Sequence, residues 1–287
     1  MTGVTRPVLR YHGGKFRLAP WIIGFFPPHE VYVEPFGGGA SVLLRKGRAH
    51  TEVYNDVADE VVNVFRVLRD PLLAGRLMRL VELTPAARAE FVQSYEPSDD
   101  PVEQARRTIA RSFMGFGSGA VYPKHMTGFR TGARGPRNKS AANDLVSWPD
   151  QVPAFVERLR GVTIESRDAS VVMQACDGPG TLHYVDPPYV HATRSVSRGT
   201  RQKYACELTD DDHRALAQVL HELRGMVVLS GYPCELYDDE LFAGWERHER
   251  STLADGARER TEVVWLNPAC SDALARSRGG LFAGASA

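Results

Sequence analysis

The chain has 287 residues, 43% of them hydrophobic and 24% charged, with a formal net charge of zero. This composition fits a soluble globular protein of one large or two ordinary domains, big enough to bury a core without metals or cross-links. Cys176, Cys206, Cys234 and Cys270 are widely spaced, which argues against a disulfide framework or a zinc site and fits a reducing cytoplasm. Residues 1–10 carry no signal-peptide core, and no apolar run reaches membrane-spanning length. The expected location is therefore cytoplasmic. None of the nine histidines stands at metal-ligand spacing, so no metal is expected.

The first predicted strand is Val31–Glu34, a β-branched and aromatic run ended by Pro35 and a glycine cluster. In Glu34-Pro35-Phe36-Gly37-Gly38-Gly39-Ala40-Ser41 the glycines let the backbone turn sharply and approach a ligand with no Cβ in the way. Such a cluster is as often a plain tight turn as a binding site. It matches neither the dinucleotide nor the triphosphate fingerprint. Residues 40–45 then read as the opening of a helix. A second strand covers residues 52–54 and ends at Asn55 and Asp56. A carboxylate there can accept both hydroxyls of a ribose, as in nucleotide-binding sheets, or can cap the next helix, a role open to Asn55 as well.

Helical periodicity runs through Val57, Val61, Val64, Phe65 and Leu68, and stays helical from residue 71 to about residue 112. A glycine-rich segment, residues 115–135, follows. Strands return at residues 162–164, Thr181–Val185, 226–229 and 262–266. Thr209-Asp-Asp-Asp212 opens a helix as a capping box, with Leu216, Leu220 and Leu223 on one face. Alternating strands and helices imply a largely parallel sheet covered on both sides. The expected fold is α/β, a Rossmann-like sheet interrupted by a mostly helical insertion. Residues 1–60 and 154–275 would form a discontinuous catalytic domain, residues 61–153 the insertion, and residues 276–287 a flexible tail.

The sharpest feature is Asp186-Pro187-Pro188-Tyr189 at the end of a strand. Two prolines cannot donate ladder hydrogen bonds, so the chain leaves the sheet there. The turn presents the Asp186 carboxylate and the Pro187 carbonyl as two acceptors, which suits an amino group with two N–H donors. Tyr189 offers a π face for a flat base. Charge distribution adds to this. Residues 122–143 contain no acid but hold Lys124, Arg130, Arg134, Arg137 and Lys139; residues 189–205 contain none but hold Arg194, Arg198, Arg201 and Lys203. Either stretch alone could be a solvated loop; two together point to a shared polyanion.

On these motifs the chain, over about residues 9–268, resembles the Dam-like DNA adenine methyltransferases. The run Arg10-Tyr11-His12-Gly13-Gly14-Lys15 resembles the family's N-terminal signature, and the Glu-Pro-Phe-Gly-Gly-Gly turn its cofactor loop. The resemblance implies S-adenosylmethionine as cofactor, held by Tyr11, Lys15, Glu34, Phe36, Gly37, Gly38, Gly39, Ser41, Asp56, Asp168 and Asp186. Asp168 falls where the family has an acid near the cofactor's adenine. Asp186, Pro187, Pro188 and Tyr189 would be catalytic, and the nine basic residues above would bind double-stranded DNA. The later segments Ser230-Gly-Tyr232 and Arg260-Thr-Glu-Val263 match family segments that look structural. Residues 113–119 and 126–130 depart from the DNA-reading hairpin of the best-known members, so the recognition sequence is not implied. The expected activity is methylation of adenine N6 in DNA, with a cognate restriction endonuclease as a possible partner. Cytosine N4 methylation, and a catalytically silent DNA-binding regulator on the same scaffold, are the alternatives.

Overall fold

The computed structural model describes residues 3–123, 126–131, 140–193, 207–253 and 259–283. In chain order the regular elements are α1 (Ala19–Ile23), β1 (Val31–Glu34), β2 (Thr51–Asn55), α2 (Asp59–Arg69), α3 (Pro71–Glu82), α4 (Arg88–Gln93), α5 (Pro101–Met114), α6 (Ala141–Val146), α7 (Val152–Leu159), β3 (Val162–Glu165), α8 (Ala169–Ala175), β4 (Thr181–Val185), α9 (Asp210–Glu222), β5 (Met226–Gly231), β6 (Glu246–Leu253), β7 (Glu259–Leu266) and α10 (Pro268–Ala283). One π-helical turn, Leu236–Leu241, follows β5.

Seven strands form one sheet in the order β3-β2-β1-β4-β5-β7-β6. The first five are parallel, and β7 runs antiparallel to both β5 and β6. Every residue of β4 and β5 is buried, as parallel strands covered on both faces require. The predicted parallel α/β sheet is therefore present. Strand β6 was not anticipated. Its sequence, Glu-Arg-His-Glu-Arg-Ser-Thr-Leu, is charged because it lies at the sheet edge, where charge discourages pairing with a second molecule.

Between β2 and β3 the described residues are helical. Asp70 and Asp100 cap α3 and α5 through backbone N–H groups, each with proline next in the chain. These helices share a continuous apolar core with the sheet, in which Tyr32, Tyr54, Phe65, Leu77, Ile109, Trp148 and Phe155 are all buried. Arg158 on α7 ties the block to β2 with two bonds to Glu52, at 2.6 and 2.9 Å. The opposite face of the sheet is covered by α8 and α9, where Leu216 and Leu220 pack against Val227, Leu229 and Trp265. The predicted capping box at Thr209 and Asp212 is present.

Two expectations change. Residues 40–45 form separate turns rather than a helix, closed by Leu44 N–H to Ala40 O and Lys46 N–H to Val42 O, both at 3.0 Å. Ala40 is left-handed, with φ +51, so no right-handed helix can begin on it. The C-terminal segment expected as a tail continues as α10 to Ala283. Finally, Lys124, Arg134, Arg137, Lys139, Arg194, Arg198, Arg201 and Lys203 lie outside the described residues.

Candidate active site

Four parallel strands deliver one acid each at or just beyond their carboxyl ends: Glu34 after β1, Asp56 after β2, Asp168 after β3 and Asp186 after β4. The order reverses between β1 and β4, the switch point where open α/β sheets bind ligands. A cleft of about 420 Å³ opens there, lined by all four acids, by Tyr11, Lys15, Phe36, Gly37, Gly38, Gly39 and Ser41, and by Pro187 and Pro188. That volume falls in the range of small-molecule sites. All eleven residues expected to hold a cofactor therefore meet in one cavity.

The glycine turn is shaped by its own protein as much as by any ligand. Tyr54 donates its hydroxyl to Gly38 O at 2.8 Å, and Gly37 N–H donates to Asn55 O at 2.7 Å. A Cβ on Gly37 would sit 2.2 Å from the Tyr54 ring. Gly38 has φ +47, and its Cβ would meet the Tyr11 ring at 2.5 Å. The loop is thus clamped between two tyrosines.

Asp56 ties the glycine turn to the start of α2, whose N-cap position is Ala58. Its Oδ2 accepts from Gly38 N–H and its Oδ1 from Ala58 N–H, each at 2.8 Å, and it still lines the cleft. Burial pushes its carboxyl above the usual range. Asn55, to which the sequence left the cap of α2 open, does not cap it. It bonds Pro35 O at 2.9 Å and Arg167 O at 3.0 Å, joining the loops that follow β1 and β3. Asp168 caps α8 through Ser170 N–H at 2.9 Å while facing the cleft.

Glu34 is buried, and its Oε2 accepts from Tyr32 Oη at 2.7 Å and Leu43 N–H at 2.9 Å. Burial pushes its carboxyl up to about 8 from 4.5, so it is a neutral acid at pH 7. A carboxyl raised on folding costs stability as pH climbs from its unfolded to its folded value. At about 1.4 kcal/mol per pH unit that cost is on the order of 5 kcal/mol above pH 8. Denaturant unfolding of the protein should therefore show stability falling between pH 5 and 8. Glu34→Gln, which keeps the acceptor oxygen and cannot ionise, should flatten much of that slope. An identical slope in the variant would refute the assignment.

The Asp-Pro-Pro-Tyr turn forms a charge cluster. Lys15, 4% exposed, places Nζ 3.0 Å from Asp186 Oδ1, 3.4 Å from Glu262 Oε1 and 2.7 Å from the Gly13 carbonyl it donates to. Burial raises the Asp186 carboxyl and the Lys15 ammonium partly offsets this. Tyr189 is buried beyond the prolines and is not among the residues lining the cleft. It donates its hydroxyl to Glu262, carries Lys15 over its ring at 4.7 Å, and meets Tyr232 edge-on at 4.5 Å.

Sequence reasoning missed three contributors to the site. Tyr122, which follows a 3-10 turn at Ser118–Val121, bonds Tyr11 Oη at 2.5 Å and lines the cleft. Leu216 and Val219 of α9 form another wall; their periodicity signalled burial, though not what they bury against. Glu262 is buried in β7 directly before the buried run Val263 to Leu266, and an acid abutting such a run was the available signal. Of the expected DNA-binding residues, Arg130 is described, and its guanidinium pairs with Asp144 on α6. Its backbone N–H bonds Met114 O at 2.7 Å, and Gly115 pairs with Phe129, so the backbone around Gly115 runs beside that around Phe129.

A doubly wound sheet whose switch-point cleft is walled by a glycine turn and by Asp186, Pro187 and Pro188 is a Rossmann-like frame with a ligand site at its strand ends. A model of the family described as D12 class N6 adenine-specific DNA methyltransferase matches residues 11–253, and the chain belongs to that family. It is also similar to the DNA adenine methylase of Serratia marcescens, with 22% identity over 261 residues covering 85% of this chain and 87% of that protein. The protein is thus an enzyme that methylates adenine N6 in DNA. This replaces the cytosine and silent-regulator alternatives. Among the described residues no helix is long and apolar enough to cross a membrane, and no cluster of His, Cys, Asp and Glu could hold a metal.

Proposed function

We propose that the methyl donor is S-adenosylmethionine, held in the switch-point cleft, and that Asp186 and the Pro187 carbonyl receive the adenine amine. The fit rests on the cleft itself. The Gly37 and Gly38 backbone lies flat against the Tyr54 and Tyr11 rings, where a Cβ would collide, and so holds the turn at the cleft wall; Asp56 offers carboxylate lone pairs to a ribose, and Asp168 lines the wall beside them. When bound, the donor supplies a sulfonium methyl, an electrophile that needs no enzyme nucleophile. Tyr11, Phe36 and Ser41 line the same cleft and would hold the donor's remaining surface.

The amine of adenine is a weak nucleophile because its lone pair is delocalised into the ring. The Asp186 carboxylate and the Pro187 carbonyl accept its two hydrogens, which favours a pyramidal nitrogen with its lone pair free for in-line attack. Most of the acceleration then comes from positioning. The excess proton passes to the Asp186 carboxylate, whose burial makes it a stronger acceptor than an exposed aspartate. The base is inaccessible within a duplex, so it is flipped out to reach Asp186. Tyr189 stiffens the turn that meets it, through its hydroxyl on Glu262. The helical block, residues 61–153, is read as the target-recognition unit, and the two basic segments as its phosphate contacts on double-stranded DNA. A cytoplasmic location and pairing with a restriction endonuclease accord with that activity.

The observation that carries this reading is Asp186, at the carboxyl end of β4, lining the cleft with an ammonium 3.0 Å away. Calorimetric titration with S-adenosylmethionine should show one site per chain. Gly37→Ala, which drives a Cβ into the buried Tyr54 ring, should weaken that binding at least about 10-fold and lower stability by about 1–3 kcal/mol. A protein that is folded and methylates DNA but binds no S-adenosylmethionine would refute the donor.

A further inference from the structure

Glu262 takes no direct part in the chemistry above, yet it is an acid 4% exposed in the middle of β7, followed by buried Val263, Val264 and Trp265. Burying a carboxylate is costly unless it is paired and hydrogen-bonded. Its register partner on β6, Arg250, is exposed. The carboxylate meets the active site instead: Oε1 accepts from the Tyr189 hydroxyl and lies 3.4 Å from Lys15 Nζ. Lys15 is in turn 3.0 Å from Asp186 Oδ1. One ammonium therefore serves the buried Glu262 and the half-buried, cleft-lining Asp186, and Glu262 also anchors the tyrosine of the tetrapeptide. The other titratable groups around the pair are Glu34 after β1, Tyr184 on β4 and Tyr237 from the π-helical turn.

We propose that Glu262 is a positioning residue for methyl transfer: it holds Lys15 against Oδ1 of Asp186 and pins Tyr189, whose side chain also bonds the Asp186 carboxyl, so that the carboxylate is fixed toward the target amine. This deepens, and rests on, the assignment of Asp186 as the amine acceptor. The second effect is electrostatic. Two carboxylates on one ammonium leave an excess negative charge, and like charge at short range raises a carboxyl. Burial is the largest cause of Glu262's own rise, with the charge of Asp186 adding to it. Glu262 divides the ammonium's attraction and keeps Asp186 more basic than a private Lys15–Asp186 pair would.

The test is Glu262→Gln, which keeps the shape and an acceptor for Tyr189 but removes the charge. Single-turnover methylation at saturating DNA and S-adenosylmethionine should fall about 10- to 100-fold, with KM for DNA unchanged. Lys15 would then serve Asp186 alone, so the acid limb of the rate profile should move to lower pH. A purely structural glutamate would change Tm without moving that limb. In the unsubstituted protein without ligands, a 13C-carboxylate titration should show Asp186 and Glu262 each responding in two coupled steps. The inference is overturned by a folded Glu262→Gln protein with the parent rate and limb. Should that variant not fold, two independent single-step titrations in the parent protein overturn it equally. Asp186→Ala separates the two ideas: if it keeps turnover, the acceptor assignment fails. If it is inactive while Glu262→Gln is unaffected, only the role of Glu262 fails.

Discussion

Asp186→Ala lowers single-turnover methyl transfer at least about 10³-fold and leaves the protein folded, with Tm equal to or above that of the parent. The size of the first effect follows from losing an oriented acceptor and a proton acceptor in one substitution, since positioned acid–base groups alone contribute about 10²- to 10⁴-fold. The second follows from the charge cluster. Asp186 and Glu262 share Lys15 at 3.0 and 3.4 Å, so removing one carboxylate relieves repulsion and leaves the lysine paired. Active-site groups of this kind are held at a cost to stability. A rate within tenfold of the parent, on enzyme whose S-adenosylmethionine binding is intact, would exclude Asp186 as the acceptor.

Lys15→Met produces the largest loss of stability expected at the site, with methylation lost alongside it. Removing one partner of a buried ion pair typically costs about 3–5 kcal/mol because the opposite charge is left uncompensated. Here two carboxylates lose the same cation. Both are already raised by burial, and Lys15 is the charge that draws each of them back down. Without it their folded values climb further, so the sign of the pH dependence is fixed. The variant should approach the parent's stability in acid, where protonation removes both negative charges, and fall progressively below it as pH rises through their folded values. Denaturant unfolding at pH 5 and pH 8 measures this. A deficit that is equal at both pH values would show that Lys15 acts by packing alone.

Much of the fold was legible because its strands are buried on both faces. β1, β4 and β5 read as short runs rich in apolar and β-branched residues, β4 carrying His183 at its centre, and their ends are marked by Pro35, Pro187 and glycine, residues that stop a ladder for covalent reasons. The capping box at Thr209 is likewise local, closed by bonds between residues three apart. β6 was illegible for the opposite reason: an edge strand keeps polar side chains. Its strand character comes from eight register pairs with β7 rather than from its own pattern. The apparent helix after Gly39 failed because Ala40 is held left-handed in a loop clamped by Tyr11 and Tyr54, and neither tyrosine is adjacent to it in sequence.

By itself the sequence determined the acids at the strand ends, the glycine turn between β1 and β2, and the Asp-Pro-Pro-Tyr turn after β4. Each is set by neighbours along the chain and by what prolines and glycines allow. Only the tertiary structure decided what those groups are charged against. Lys15 comes from the N-terminal segment, Asp186 from the end of β4 and Glu262 from an antiparallel strand near the C-terminus. Their pairing arises because the sheet brings distant segments to one dry place, where an ammonium cannot be left to water and must be shared between the carboxylates that surround it.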